Sequence, residues 1–293
     1  MSKSTKSASA STKLPSVVTW LQEGSKYIAQ NWVMLVKVYL FGLLAYLGAF
    51  VLIAIPIIIA AIAAPIVGLT WNFFTIAITA VASVLAFIIL ILIAGKMVVM
   101  QVQAVQEPIT KIKAAWEAIT YRQAWSMYAV VFLSVFAFYT GLIFLIIPGI
   151  IIGTWVSLAM FVYLEQKVGG VKSLILSRDY IRGYWWSVFG RMLVALIIYM
   201  IVVFITMSIY TSMVEQNAIL GVIGYILYVT SSLMITSLMY RLTYTLYLDL
   251  KKIKGVIKPD YKGWRLWRWR LLAAGPLTIG VAAVVVTIIA SLL

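Results

Sequence analysis

The chain reads as an all-α, polytopic transmembrane helical bundle of about six to seven spans, with interfacial amphipathic helices on its cytoplasmic side. Three observations carry this reading. Of 293 residues, 64% are hydrophobic and 11% charged, with a mean hydropathy of +1.07, whereas soluble domains lie near one half and one quarter. Apolar runs beyond Val33 repeatedly exceed the ~18 residues that mark a membrane-crossing helix, without the alternation of a membrane barrel. Lysine and arginine, finally, collect in every second connection between those runs.

The elements follow in order. Residues 1–14 are rich in Ser and Lys and poor in apolar side chains, and predict a disordered basic tail. The first apolar run starts too late and is too long for the core of a cleaved leader, so none is expected. Spans are predicted over 33–57, 70–95, 124–147, 149–166, 190–214, 218–248 and 271–293. The first run outlasts one crossing and contains Pro56, so its excess is expected to tilt, kink or lie in the outer leaflet.

All but two of the 23 basic residues, Lys37 and Arg241, lie before the first span, between the second and third, between the fourth and fifth (with Arg191 at the very start of the fifth), or between the sixth and seventh. The alternate connections hold none. By the positive-inside rule the amino terminus and all basic loops are cytoplasmic.

This charge pattern bears on Pro148-Gly149, inside FLIIPGIIIGTWVSLAMFVYLE. A kink there would leave one very long helix and put the flanking basic loops on opposite sides of the membrane. A tight corner puts both inside. Proline lacks a donor and glycine accepts positive φ, so the pair suits a turn, and the corner is the expected reading.

Nine of the 11 tryptophans, all but Trp71 and Trp155, fall at the predicted inner boundary, the depth an indole prefers. The basic segments also carry helical apolar spacing, as at Ile109, Ile112, Trp116 and Ile119, and predict helices lying in the interface. Two segments align at a constant offset, Lys111 with Lys172 and Trp125 with Trp186. This suggests a membrane domain over 15–255 built of three helical-hairpin units (15–103, 108–166, 169–248), followed by a basic-tryptophan helix and a final span over 256–293. Any hairpin membrane protein needs basic-aromatic entry segments, so the match also has a plain structural explanation.

The chain has no cysteine and no histidine. Disulfides, thiol nucleophiles, histidine acid–base chemistry and zinc sites of the usual ligands are excluded. Its eight acidic residues are scattered, so no metal or cofactor is expected and the chain is read as non-enzymatic. A net charge of +15 without a soluble basic module argues for membrane phospholipid, anionic in kind, and against nucleic acid.

The run from Ile147 to Gly190 resembles the core signature of the YciC-type bacterial membrane proteins and of the related membrane domain found on some glycerophosphodiester phosphodiesterases. The elements that carry the resemblance are Pro148-Gly149, Glu165, Gly169-Gly170, Ser177-Arg178 and Gly183-Tyr184-Trp185-Trp186. LYLDLKKIKG, from Leu246 to Gly255, is similar to the ending of a span in that group. The resemblance implies a bacterial cytoplasmic membrane and about six spans, with no established activity to carry over. The segment after Gly255 departs from that plan.

Candidate residues follow from charge and depth. Glu165 ends a span and is expected to pair with Lys167, Arg178 or Arg241, or to contact a substrate. Arg178, Arg182, Arg241 and Asp249 are the other members of a predicted polar network. In KGWRLWRWRLL, Lys262, Arg265, Arg268 and Arg270 are placed to hold phosphate headgroups, with Trp264, Trp267 and Trp269 at acyl depth. The expected function is binding or organising anionic phospholipid at the inner leaflet, with possible scaffolding of a membrane protein partner. The alternative is a transporter or exporter subunit for a small or lipid-like substrate, lined by hydroxyls such as Thr154, Ser157, Thr206, Ser208 and Ser232.

Overall fold

The computed structural model describes residues 13–66, 73–257, 261, 263–264 and 266–275. Every regular element among them is an α-helix: α1 Val17–Ile66, α2 Phe73–Gln106, α3 Ile112–Ala118, α4 Tyr121–Phe144, α5 Ile146–Val156, α6 Ala159–Gln166, α7 Val171–Ile181, α8 Trp185–Gln216 and α9 Ala218–Lys254. The predicted all-α class holds, and six stretches of the described residues are long and apolar enough to cross a membrane. They are Val17–Val51, Ala80–Gln106, Tyr121–Phe144, Ile146–Gln166, Trp185–Gln216 and Ala218–Lys254. Most of the predicted basic tail and of the seventh span, together with Lys262 and Arg265, lies outside the described residues.

The predicted entry segment before the first span is not separate from it. α1 runs 50 residues without interruption and through Pro56, a length of about 75 Å against a bilayer core of about 30 Å. Residues 17–32 contain no proline and only Gly24, so nothing local stops the helix.

The chain divides into two compact units, Met1–Gln30 with Ala129–Leu293, and Asn31–Tyr128, with boundaries inside α1 and α4. The predicted hairpin units have different boundaries. In the second unit the ammonium of Lys96, 8% exposed, donates to the Trp116 carbonyl at 3.3 Å and lies 4.6 Å from the centre of the Tyr121 ring. Its charge is held by a carbonyl dipole and aromatic faces.

In the first unit, α4 and α5 meet at Leu145, whose backbone is extended (φ −172°, ψ 157°). The predicted corner is therefore real, but it lies three residues before Pro148-Gly149. The proline falls in the first turn of α5, where its missing N–H would have no helical acceptor in any case. Gly149 is helical and buried, and its role is close approach: a Cβ built on Gly141 would stand 2.7 Å from the Gly149 Cα. Farther along, a Cβ on Gly153 would stand 2.7 Å from Phe138. Pairing of 141 with 149 and of 138 with 153 makes the two helices antiparallel.

The second hairpin turns at Asn217, also extended, whose side-chain oxygen accepts the Leu220 N–H at 2.9 Å. This N-cap starts α9 directly after α8 ends. Gly221 and Gly224 then let α9 approach Val214 and Met213. Outward faces are apolar, with Phe204 74% and Ile219 76% exposed, as befits helices solvated by lipid.

α7 differs from a helix lying on a surface. Seven of its 11 residues are buried, and it packs against α5, α6 and α9. α3, which the sequence aligns with it, has no buried residue. The two aligned segments thus occupy unlike environments.

Candidate functional site

One end of the first unit gathers its polar chemistry. α6 ends there at Glu165-Gln166, α7 packs beside it, and α8 begins there. α9 ends there as well, and the segment from Pro15 to Tyr27 joins them. The Arg191 guanidinium donates to the Pro15 and Ser187 carbonyls, and the Trp20 indole N–H donates to the Leu242 carbonyl at 2.8 Å. Trp20, 2% exposed, is a core residue although the sequence counts it among the boundary tryptophans.

The Glu165 carboxylate forms an ion pair with Lys251 and accepts the Tyr247 hydroxyl at 3.0 Å. Gln166 donates to the Tyr180 and Tyr247 hydroxyls at 2.8 and 3.3 Å, and these two rings meet edge-on at 5.5 Å. The expected ion pair at Glu165 exists, but its partner is none of Lys167, Arg178 and Arg241. α9 carries Lys251 to the end of α6 because α9 continues past Tyr247, and Lys251 stands one helical turn beyond it.

The other predicted members of the network are placed differently. Arg241 stacks on Tyr27 at 3.8 Å, and Arg178 lies 4.8 Å over the Trp155 ring. Asp249 meets Lys252 at 3.8 Å, while Arg182 offers its carbonyl to the Lys254 ammonium. Arginine suits such ring faces because its guanidinium is planar and weakly hydrated.

Residues 266–275 are helical and dock on α4 through the Thr140 hydroxyl, which donates to the Leu272 carbonyl at 2.6 Å. Trp264 and Trp267 are 66% and 56% exposed, and Leu271 is exposed beside them. Arg268 and Arg270 are also exposed, with Arg268 5.9 Å from the Trp264 ring. Trp269 corrects its predicted assignment: it is buried and packs on Trp155 at 6.4 Å. Helical spacing turns position 269 away from 264, 267, 268 and 271.

Beside this stretch lies an open cavity of about 450 Å³, lined by Lys167, Lys172, Tyr261 and Arg270 together with apolar and glycine positions. Among the described residues its wall contains three cations and no carboxylate. The loop that shapes it leaves α6 at Lys167, in the left-handed region (φ 56°), and enters α7 at Gly170 (φ 62°). Burial, and secondarily Asp179, pushes the Tyr261 phenol above its ordinary pKa.

No family model, curated protein or solved structure matches the chain.

Of the five hydroxyls named for the transport alternative, four donate to nearby backbone carbonyls, and the buried Ser232 hydroxyl has no partner among the described residues. Thr154 donates to the Ile150 carbonyl, Ser157 to Thr154, Thr206 to Val202 and Ser208 to Phe204. Among the described residues no group of three or more acidic, histidine or cysteine side chains is placed to hold a metal ion.

Sequence reasoning missed Lys251 and Tyr247 as partners of Glu165, Gln166 as the donor to Tyr180 and Tyr247, and Lys167, Lys172 and Tyr261 as one cavity wall. Each set joins positions far apart in the chain. The signal that existed was density of tyrosine and lysine near the end of α9, which locates a polar end without pairing its members.

Proposed function

We propose that the protein is a non-enzymatic membrane protein that binds and organises anionic phospholipid at the inner leaflet of a bacterial cytoplasmic membrane, and presents that patch to envelope partners. The observation that carries the reading is the exposed set Trp264, Trp267, Leu271, Arg268 and Arg270, apolar rings and cations on one short helical stretch beside a basic cavity. Indoles favour headgroup depth, and each basic residue near an anionic leaflet contributes about 1 kcal/mol of attraction. The charge asymmetry of the loops argues for a cytoplasmic position of this end. The resemblance to the YciC-type group supports the bacterial membrane.

Native mass spectrometry on protein extracted with its surrounding membrane tests the reading. Enrichment of anionic lipid over zwitterionic lipid is expected, and is reduced when Arg265, Arg268 and Arg270 are changed to Gln. Unchanged lipid composition in that variant sinks the proposal.

A further inference from the structure

We infer that the cavity walled by Lys167, Lys172, Tyr261 and Arg270 is a binding site for a phosphoryl oxyanion. The inference deepens the lipid reading and rests on it only for the source of the anion.

Three independent features converge. The first is charge: among the described residues, three cations from separate places in the chain, the end of α6, the first turn of α7 and the stretch 266–275, face one void whose described wall holds no carboxylate. Like charges repel, so folding that brings them together leaves a site whose electrostatic complement is an anion. Arginine supplies a planar fork matched to phosphate, and the lysines supply mobile point charges.

The second is an unmet donor. The Tyr261 hydroxyl oxygen is buried and has no hydrogen-bond partner among the described residues, although Lys172 lies over its ring at 5.2 Å. A buried polar atom without a partner is costly and calls for an acceptor. Because its environment keeps the phenol protonated, it can donate to an oxyanion but cannot act as one.

The third is size and setting. A void of about 450 Å³ falls within the ~300–1,000 Å³ typical of small-ligand sites, ample for a phosphate with a glycerol attached. Arg270 stands on the same stretch as exposed Trp267 and Leu271, so a phosphate held in the cavity has apolar surface beside it for acyl chains. All three cations are solvent-exposed, and binding is therefore expected to weaken as salt rises and screens them.

Isothermal titration of the full-length protein in neutral detergent tests the site, with short-chain phosphatidylglycerol, short-chain phosphatidylcholine and inorganic phosphate as probes. The variants are Lys167→Asn with Lys172→Gln, asparagine being chosen because it tolerates the left-handed backbone at 167, and separately Tyr261→Phe. Wild type is expected to bind phosphatidylglycerol and not phosphatidylcholine. The lysine pair should abolish this, and Tyr261→Phe should weaken it roughly tenfold, as for a hydrogen bond to a charged group. Lys26→Gln, an exposed position outside both the cavity wall and the patch 264–271, should leave this affinity unchanged. Phosphatidylglycerol binding that survives all cavity variants and falls only with Arg268→Gln overturns the site while sparing the lipid reading. Binding of inorganic phosphate alone, lost in the cavity variants, upholds the site and removes its lipid source. Binding of neither anion by wild type overturns the site outright. Should the lysine pair fail to fold, Tyr261→Phe decides alone: a tenfold loss upholds the site and unchanged affinity overturns it.

Discussion

The Ser177 hydroxyl donates to the Trp155 carbonyl at 2.6 Å. It also accepts the Leu158 N–H at 3.2 Å, so one buried side chain on α7 satisfies both groups freed where α5 gives way to α6. Ser177→Ala leaves two buried polar groups unmatched and should destabilise the protein by about 1–3 kcal/mol, read as a lowered midpoint of denaturant unfolding in detergent. An unchanged midpoint would show that the break needs no closure by α7.

The Gly141–Gly149 approach predicts opposite effects at two helical glycines. Gly141→Ala drives a methyl into the backbone of α5, 2.7 Å from the Gly149 Cα, and should cost about 1–3 kcal/mol. Gly190→Ala meets nothing within 4 Å and should stabilise α8 by up to about 1 kcal/mol. Parallel thermal melts decide, and equal effects at both sites would contradict the α4–α5 packing.

Glu165 and Lys251 lie in contact, yet their side chains remain 23% and 32% exposed. Solvent screening limits such a pair, and a double-mutant cycle with Glu165→Gln and Lys251→Met should give a coupling of about 1 kcal/mol. Coupling near zero would make the pair incidental to the junction of α6 with α9.

Absence of cysteine from the chain makes single-cysteine labelling unambiguous. Asn217→Cys, at the tip of the α8–α9 hairpin, should react with an impermeant maleimide on intact cells. Lys252→Cys, at the opposite end of α9, should react only after permeabilisation. The reverse pattern would invert the proposed orientation.

Helical class was legible because apolar content and run length are sums over many residues. The Leu145 corner was located to within three residues because proline and glycine mark a boundary without saying which side of it they occupy. Pro148 serves as a first-turn residue and Gly149 as a contact surface, and only packing separates those roles from a turn. The continuity of α1 is hidden from hydropathy, which distinguishes span from segment, whereas helix formation depends on the lack of a stop signal. Trp20 and Trp269 show the same limit: composition places an indole near a boundary, and the helical phase of its neighbours decides whether it faces lipid or core. Ser177 is one hydroxyl among many in the sequence, and nothing local singles it out.

The proposed function requires that this protein prefer anionic lipid at its basic, tryptophan-bearing end. Electron paramagnetic resonance of spin-labelled phosphatidylglycerol and phosphatidylcholine in reconstituted vesicles measures that preference directly. Wild type should immobilise a larger fraction of the anionic label, and Arg265→Gln, Arg268→Gln and Arg270→Gln combined should bring the two fractions together. Equal immobilisation of both labels by wild type would contradict the account.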